Sequence, residues 1–106
     1  MFRILITGPA KNSIQSNHDW WAEHHSADEA SRWYRGIFEA INSLERLPER
    51  CPNAPESDSL HQSLRQLLFG IGKRPTHRIV FTIAENDVIV LAIRHASQDA
   101  LTHHDL

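Results

Sequence analysis

The most constraining feature of the sequence is the stretch from Ser26 to Pro48, which carries its own start signal, periodicity and stop. Ser26-Ala27-Asp28-Glu29 has the form of a capping box, in which a serine hydroxyl and a glutamate carboxylate satisfy backbone N–H groups left over at a helix start. Behind it Ala30, Trp33, Tyr34, Ile37, Phe38, Ile41 and Leu44 recur at spacings of three and four, with Leu47 extending them. Pro48 ends the run because it has no N–H to donate and its ring clashes with the preceding turn. A helix with one apolar stripe must bury that stripe, so the rest of the chain has to supply a surface for it.

The surface reads as a sheet. Phe2 to Thr7 is short and apolar and ends at Gly8-Pro9, which predicts a first strand and, from Pro9, a first helix. That helix has a weaker, partly polar stripe of Ala10, Ile14, Asn17, Trp21 and His25, and the short link at Ser26 predicts an antiparallel helical hairpin. Residues 48–59 hold three prolines and no periodicity, the pattern of a long connecting loop. Three strand-like runs follow, Leu64 to Phe69, His77 to Ala84 and Val88 to His95, joined closely enough to form an antiparallel meander.

The expected fold class is therefore α+β, β-α-α-β-β-β, with the helical hairpin on one face of a four-stranded sheet and the other face partly open. With 106 residues the expectation is one domain over 1–106. Val88 to Ile93 is apolar on both faces, as in a central strand, and the first strand is expected beside it. A three-residue loop at Glu85, Asn86 and Asp87 would set Ile79, Phe81 and Ile83 against Ile89, Leu91 and Ile93, and Arg78 opposite Arg94 on the open face. Two arginines facing each other repel unless an acid or a ligand anion lies between them.

Composition excludes several classes of function. The longest apolar run, of six residues, is too short to span a bilayer, no secretory signal begins the chain, and the lone Cys51 forms no internal disulfide, so a cytoplasmic location without membrane contact is expected. Net charge is −2, which argues against a general nucleic-acid coat protein. The charge is uneven, however. Residues 65–94 hold Arg65, Lys73, Arg74, Arg78 and Arg94 against only Glu85 and Asp87, and any anionic partner is expected there. The eight histidines show no metal-ligand spacing, so neither metal nor cofactor is expected.

The element order, with Arg32-Trp33-Tyr34, Leu64 to Gly70, His77-Arg78-Ile79-Val80-Phe81, and Ile93-Arg94-His95-Ala96 followed by Asp99, resembles the RelE/ParE superfamily of type II toxin-antitoxin toxins. The resemblance implies a bacterial growth inhibitor of the plasmid-stabilisation kind, neutralised by a cognate antitoxin that covers a groove or extends a sheet edge. It leaves two targets. RelE-like members are ribosome-dependent mRNA endonucleases, whereas ParE-like members poison DNA gyrase without cutting RNA. Carried onto this sequence, the endonuclease reading takes Glu56 and His95 as acid and base and Arg78 as the cation that stabilises the phosphorane, with Arg65, Lys73, Arg74 and Arg94 as substrate or anion contacts. No tyrosine follows Tyr34, and the Ile93-Arg94-His95-Ala96 ending is closer to the ParE branch, so gyrase inhibition is the favoured target. A third reading is an inactive relative that serves as an interaction domain. The plain alternative for Arg78 and Arg94 is an ion-pair network with Glu56 or Asp99 that anchors the long loop. Trp20 and Trp21 are the candidate partner-binding residues, because adjacent helix positions cannot both face the core.

Overall fold

The computed structural model describes residues 1–96 and 101. Strand β1 (Arg3–Ile6) leads into helices α1 (Gly8–His24) and α2 (Ala27–Asn42), a short helix α3 (Glu56–Ser59), and strands β2 (Arg65–Phe69), β3 (His77–Ala84) and β4 (Asp87–His95). The sheet order is β1-β4-β3-β2, with β1 parallel to β4 and the other pairs antiparallel. This is an α+β fold on a mixed sheet, with β4 central as its two-sided apolar character requires.

Both long helices start at side-chain caps. The Thr7 hydroxyl accepts from the Ala10 N–H at 3.4 Å and donates to the Val90 carbonyl at 2.9 Å, so it also ties the helix start to β4. The Ser26 hydroxyl accepts from the Glu29 N–H at 3.1 Å. The Glu29 carboxylate lies 3.5 Å from His25 Nδ1, one helical turn back. Helix α2 buries Ala30 and packs Trp33, Ile37 and Ile41 in one core with Ile79, Phe81, Val88, Val90 and Ile93, to which α1 adds the buried Ala10 and Ile14.

Helix α2 ends earlier than its stripe. After Asn42 the chain tightens into a 3₁₀ turn over Ser43–Glu45, and Leu47 is not part of the stripe: it is 71% exposed with a left-handed φ of 48°. The proline that follows bars Leu47 from the right-handed helical conformation. The 48–59 segment is also more ordered than a loop, since Pro48–Arg50 forms a 3₁₀ turn and Glu56–Ser59 the helix α3.

The hairpin register has one difference of consequence. Arg78 does face Arg94 and Ile79 faces Ile93, but Phe81 pairs with Val90 and Ala84 with Asp87. The extra residue therefore sits in β4 as a bulge at Leu91, and the turn is the two-residue Glu85-Asn86, with the positive φ (57°) at Glu85. The bulge changes which side chains face the helices. Val88 and Val90 join the helix-side core in place of Ile89 and Leu91, and beyond the bulge Ile93 returns to it while Ala92 turns away.

The far face of the sheet is only partly open: on the outer strands Leu5 and Leu68 stay exposed, but the middle is covered. A second core of Ala54, Leu60, Leu64, Val80, Ala92 and Leu101 covers it, with α3 and its flanking loops as the lid.

The β2–β3 turn yields a test of close packing. A Cβ on Gly70 would lie 2.5 Å from the Arg74 carbonyl oxygen and 3.1 Å from the Pro75 Cα, both backbone atoms, while one on Gly72 would meet nothing within 4 Å. Gly70→Ala is expected to destabilise by about 1–3 kcal/mol in urea melts, as other overpacking substitutions do, and Gly72→Ala to stay within about 0.5 kcal/mol of the parent.

Candidate functional site

The side chains expected to act together divide between the two faces of the sheet. On β3, residues alternate: His77, Ile79 and Phe81 point toward the helices, Arg78 and Val80 away from them. Glu56 and Arg78 meet on the far face. His95, aligned with His77 at the end of β4, lies on the helix side, so the structure does not bring it together with the other two.

Glu56 is fully buried and Arg78 nearly so. The guanidinium donates to both carboxylate oxygens, Nη1 to Oε1 at 2.9 Å and Nη2 to Oε2, a bidentate fork. Nη1 also donates to Gln66 Oε1 at 3.3 Å, and Glu56 Oε2 accepts the Leu101 N–H at 2.9 Å. These donors hold the Glu56 carboxyl at about 2, well below its ordinary 4.5, against the opposing effect of burial. A carboxylate held so far below neutrality is a poor general base, and it is already engaged by the cation that would have to receive a phosphate.

The remaining cations do not converge. Arg65 is half-buried and donates to the carbonyls of Glu49 and Cys51 at 3.0 and 2.7 Å, which pins the start of the loop. Lys73 and Arg74 are exposed in the β2–β3 turn, and Arg94 faces Arg78 across the strands. Asp99, the other expected acid, lies outside the described residues, as do His103 and His104. Cys51 is buried, and burial pushes its thiol up despite Arg50 and Arg65 nearby.

On the helix side, Ser16, Asn17, Trp20, Trp21, Thr76, His77 and His95 line a cleft of about 670 Å³ between α1 and the ends of β3 and β4. Its floor is His77, which sequence reasoning passed over as one of several histidines without ligand spacing. The signal available was its place at the head of a strand-like run, on the same face as Ile79 and Phe81, which points to burial. Asn17 Nδ2 donates to the Ser13 carbonyl at 2.8 Å, which leaves its Oδ1 to accept from His77 Nε2 at 3.0 Å. His77 Nδ1 is then the acceptor for the Thr76 hydroxyl at 2.8 Å. Burial, reinforced by the neighbouring His95, lowers His77 to about 4, so the ring is neutral at pH 7. Trp20, 48% exposed, stacks on His24 at 4.7 Å, and Trp21 lies half-buried beside it at 5.6 Å. Among the described residues no group of three or more His, Cys, Asp or Glu is placed to hold a metal ion, and no helix is long and apolar enough to cross a membrane.

Two separate losses of stability on acidification follow. His77 takes up a proton near its ordinary 6.5 in the unfolded chain but only near 4 in the fold, so its contribution is complete above 6.5 and lost as pH falls toward 4. Glu56 contributes fully above about 4.5 and loses its share as pH falls toward 2. Urea melts from pH 7 to pH 2 should show both slopes, with His77→Gln flattening the first alone. Glu56→Gln leaves a buried guanidinium without its counter-charge and should cost about 3 kcal/mol at pH 7, whereas Glu56→Gln with Arg78→Met should recover most of that loss.

The comparisons agree with this fold. A solved chain described as the chromosomal ParDE toxin-antitoxin system from P. aeruginosa superposes with a TM-score of 0.69 at 15% identity, over 90% of this chain and 96% of that one. No curated protein matches the sequence. The family model for the ParE toxin of the type II toxin-antitoxin system parDE matches residues 4–100. Nearly the whole described fold, with the helix-side core, the buried ion pair and all of the second core except Leu101, falls inside that match, and the chain belongs to the ParE toxin family.

Proposed function

We propose that the protein is a cytoplasmic growth-inhibiting toxin that acts by binding DNA gyrase rather than by cutting mRNA, and that a cognate antitoxin holds it inactive. Membership of the ParE family supports the toxin role and the partner. The observation that carries the target is the division of the three candidate catalytic groups. Glu56 and Arg78 are occupied by each other beneath the second core, and His95 stands on the opposite face. In-line cleavage of RNA through its 2′-hydroxyl requires base, acid and cation around one phosphate. Inhibition by binding requires only a surface, and Trp20 and Trp21 at the cleft provide the aromatic contact that such interfaces favour.

Two measurements on one induced culture separate the targets. Primer extension on cellular mRNA is expected to show no new cuts within translated codons, and purified protein is expected to inhibit supercoiling by gyrase or to trap broken DNA. New codon-phased cuts with intact DNA would establish the endonuclease instead. Normal growth with neither lesion would mark an inactive relative.

A further inference from the structure

A third region of the molecule belongs neither to the buried ion pair nor to the aromatic cleft. Between α2 and the end of β2 runs a groove of about 330 Å³, lined by Arg32, Arg35, Gly36, Glu39, Phe69 and Ile71. Its floor is built by close approach: at Gly36 the Phe69 ring passes 2.7 Å from where a Cβ would be, so any larger residue would displace that ring. Arg32 donates to the Ile71 carbonyl at 3.1 Å, which ties the helix to the turn that carries Lys73 and Arg74. Helix and turn together present four cations in a chain whose net charge is −2. Arg35, Lys73 and Arg74 are exposed, and no carboxylate among the described residues forms an ion pair with them.

We propose that this groove binds a short extended segment of a protein partner in which carboxylates alternate with apolar side chains, the carboxylates meeting Arg35, Lys73 and Arg74 and an apolar side chain resting on Phe69 and Ile71. The groove's size suits one or two side chains. Glu39 on its wall and the negative chain as a whole oppose the continuous phosphate charge of a nucleic acid, whereas a peptide can place its carboxylates clear of Glu39. Identification of the partner as the cognate antitoxin rests on the toxin-antitoxin reading above; the chemistry of the groove does not.

The test uses a fluorescently labelled, end-capped peptide of about eight residues alternating glutamate with leucine. Controls are the same peptide with lysine for glutamate and a single-stranded oligonucleotide of equal charge. The glutamate peptide is expected to bind, more weakly as salt rises, and the lysine peptide not to bind. The triple variant Arg35→Glu, Lys73→Glu, Arg74→Glu alters only exposed side chains, and its melt should match the parent. It should weaken the glutamate peptide about 10-fold or more, the scale of three modest ion pairs. Equal binding by parent and variant overturns the proposal, and so does an oligonucleotide that binds tighter than the peptide and is lost in the variant. Gyrase inhibition by the same preparations reports on the toxin reading separately: a protein inert toward gyrase that still loses the peptide in the variant leaves the groove standing.

Discussion

The buried pair of Glu56 and Arg78 is the interaction on which the second half of the structure depends. An arginine at the middle of a sheet face, opposite another arginine, is tolerated only with a counter-charge in reach. The chain supplies it by folding residues 51–64 back over the sheet and turning α3 inward, so that a glutamate arrives where the strands have no acid. Once there, Glu56 also accepts the Leu101 N–H, and Leu101 closes the apolar cluster around Val80 and Ala92. One ion pair thus fastens the loop and Leu101 to the same spot. The small apolar residues around it add packing, and the loop is also held by Arg65 on the Glu49 and Cys51 carbonyls and by backbone hydrogen bonds from Ala54 to Leu64 and from Gln66 to Pro52.

The other face depends on a stripe and a bulge. Of the two long helices, α2 supplies most of the large buried side chains, with Trp33, Ile37 and Ile41 fully buried, while α1 makes a shallow contact and leaves Trp20 half-exposed. That division was legible in the sequence, because apolar spacing at three and four residues reports directly on a buried helical face. The capping serine, the antiparallel meander, the central place of β4 and the juxtaposition of Arg78 and Arg94 were legible for the same kind of reason. The bulge at Leu91 was not. Val88 to Ile93 is apolar at every position, so alternation cannot say which residues face in, and an extra residue can sit in the turn or in the strand with equal hydrophobic cost. Leu47 misled by continuing the period past the point where Pro48 allows a helix.

The candidate site was legible as a set of residues and not as an arrangement. Glu56 and Arg78 could be paired on charge alone. His95 fell on the opposite face because strand neighbours alternate, and the register that fixes its partner, His77, is a tertiary fact. Likewise Arg65, read as an anion contact, is spent on the Glu49 and Cys51 carbonyls, which nothing local in the sequence announces. What emerges is a protein whose polar residues are largely structural on one face and whose exposed features are an aromatic cleft on the other face and a cationic groove at the sheet's edge. Such surfaces suit a protein that works by binding.

The central claim is that Glu56 and Arg78 hold the fold together and perform no chemistry. Its most direct test is growth arrest in bacteria expressing the double variant Glu56→Gln, Arg78→Met at matched protein level, beside the parent chain, once a cooperative melt has shown the variant folded. The account predicts that the variant arrests growth as the parent does, because the pair is replaced by a neutral packing of similar size and the outward surfaces are unchanged. A folded variant that has lost its toxicity would contradict it and return the pair to the active site.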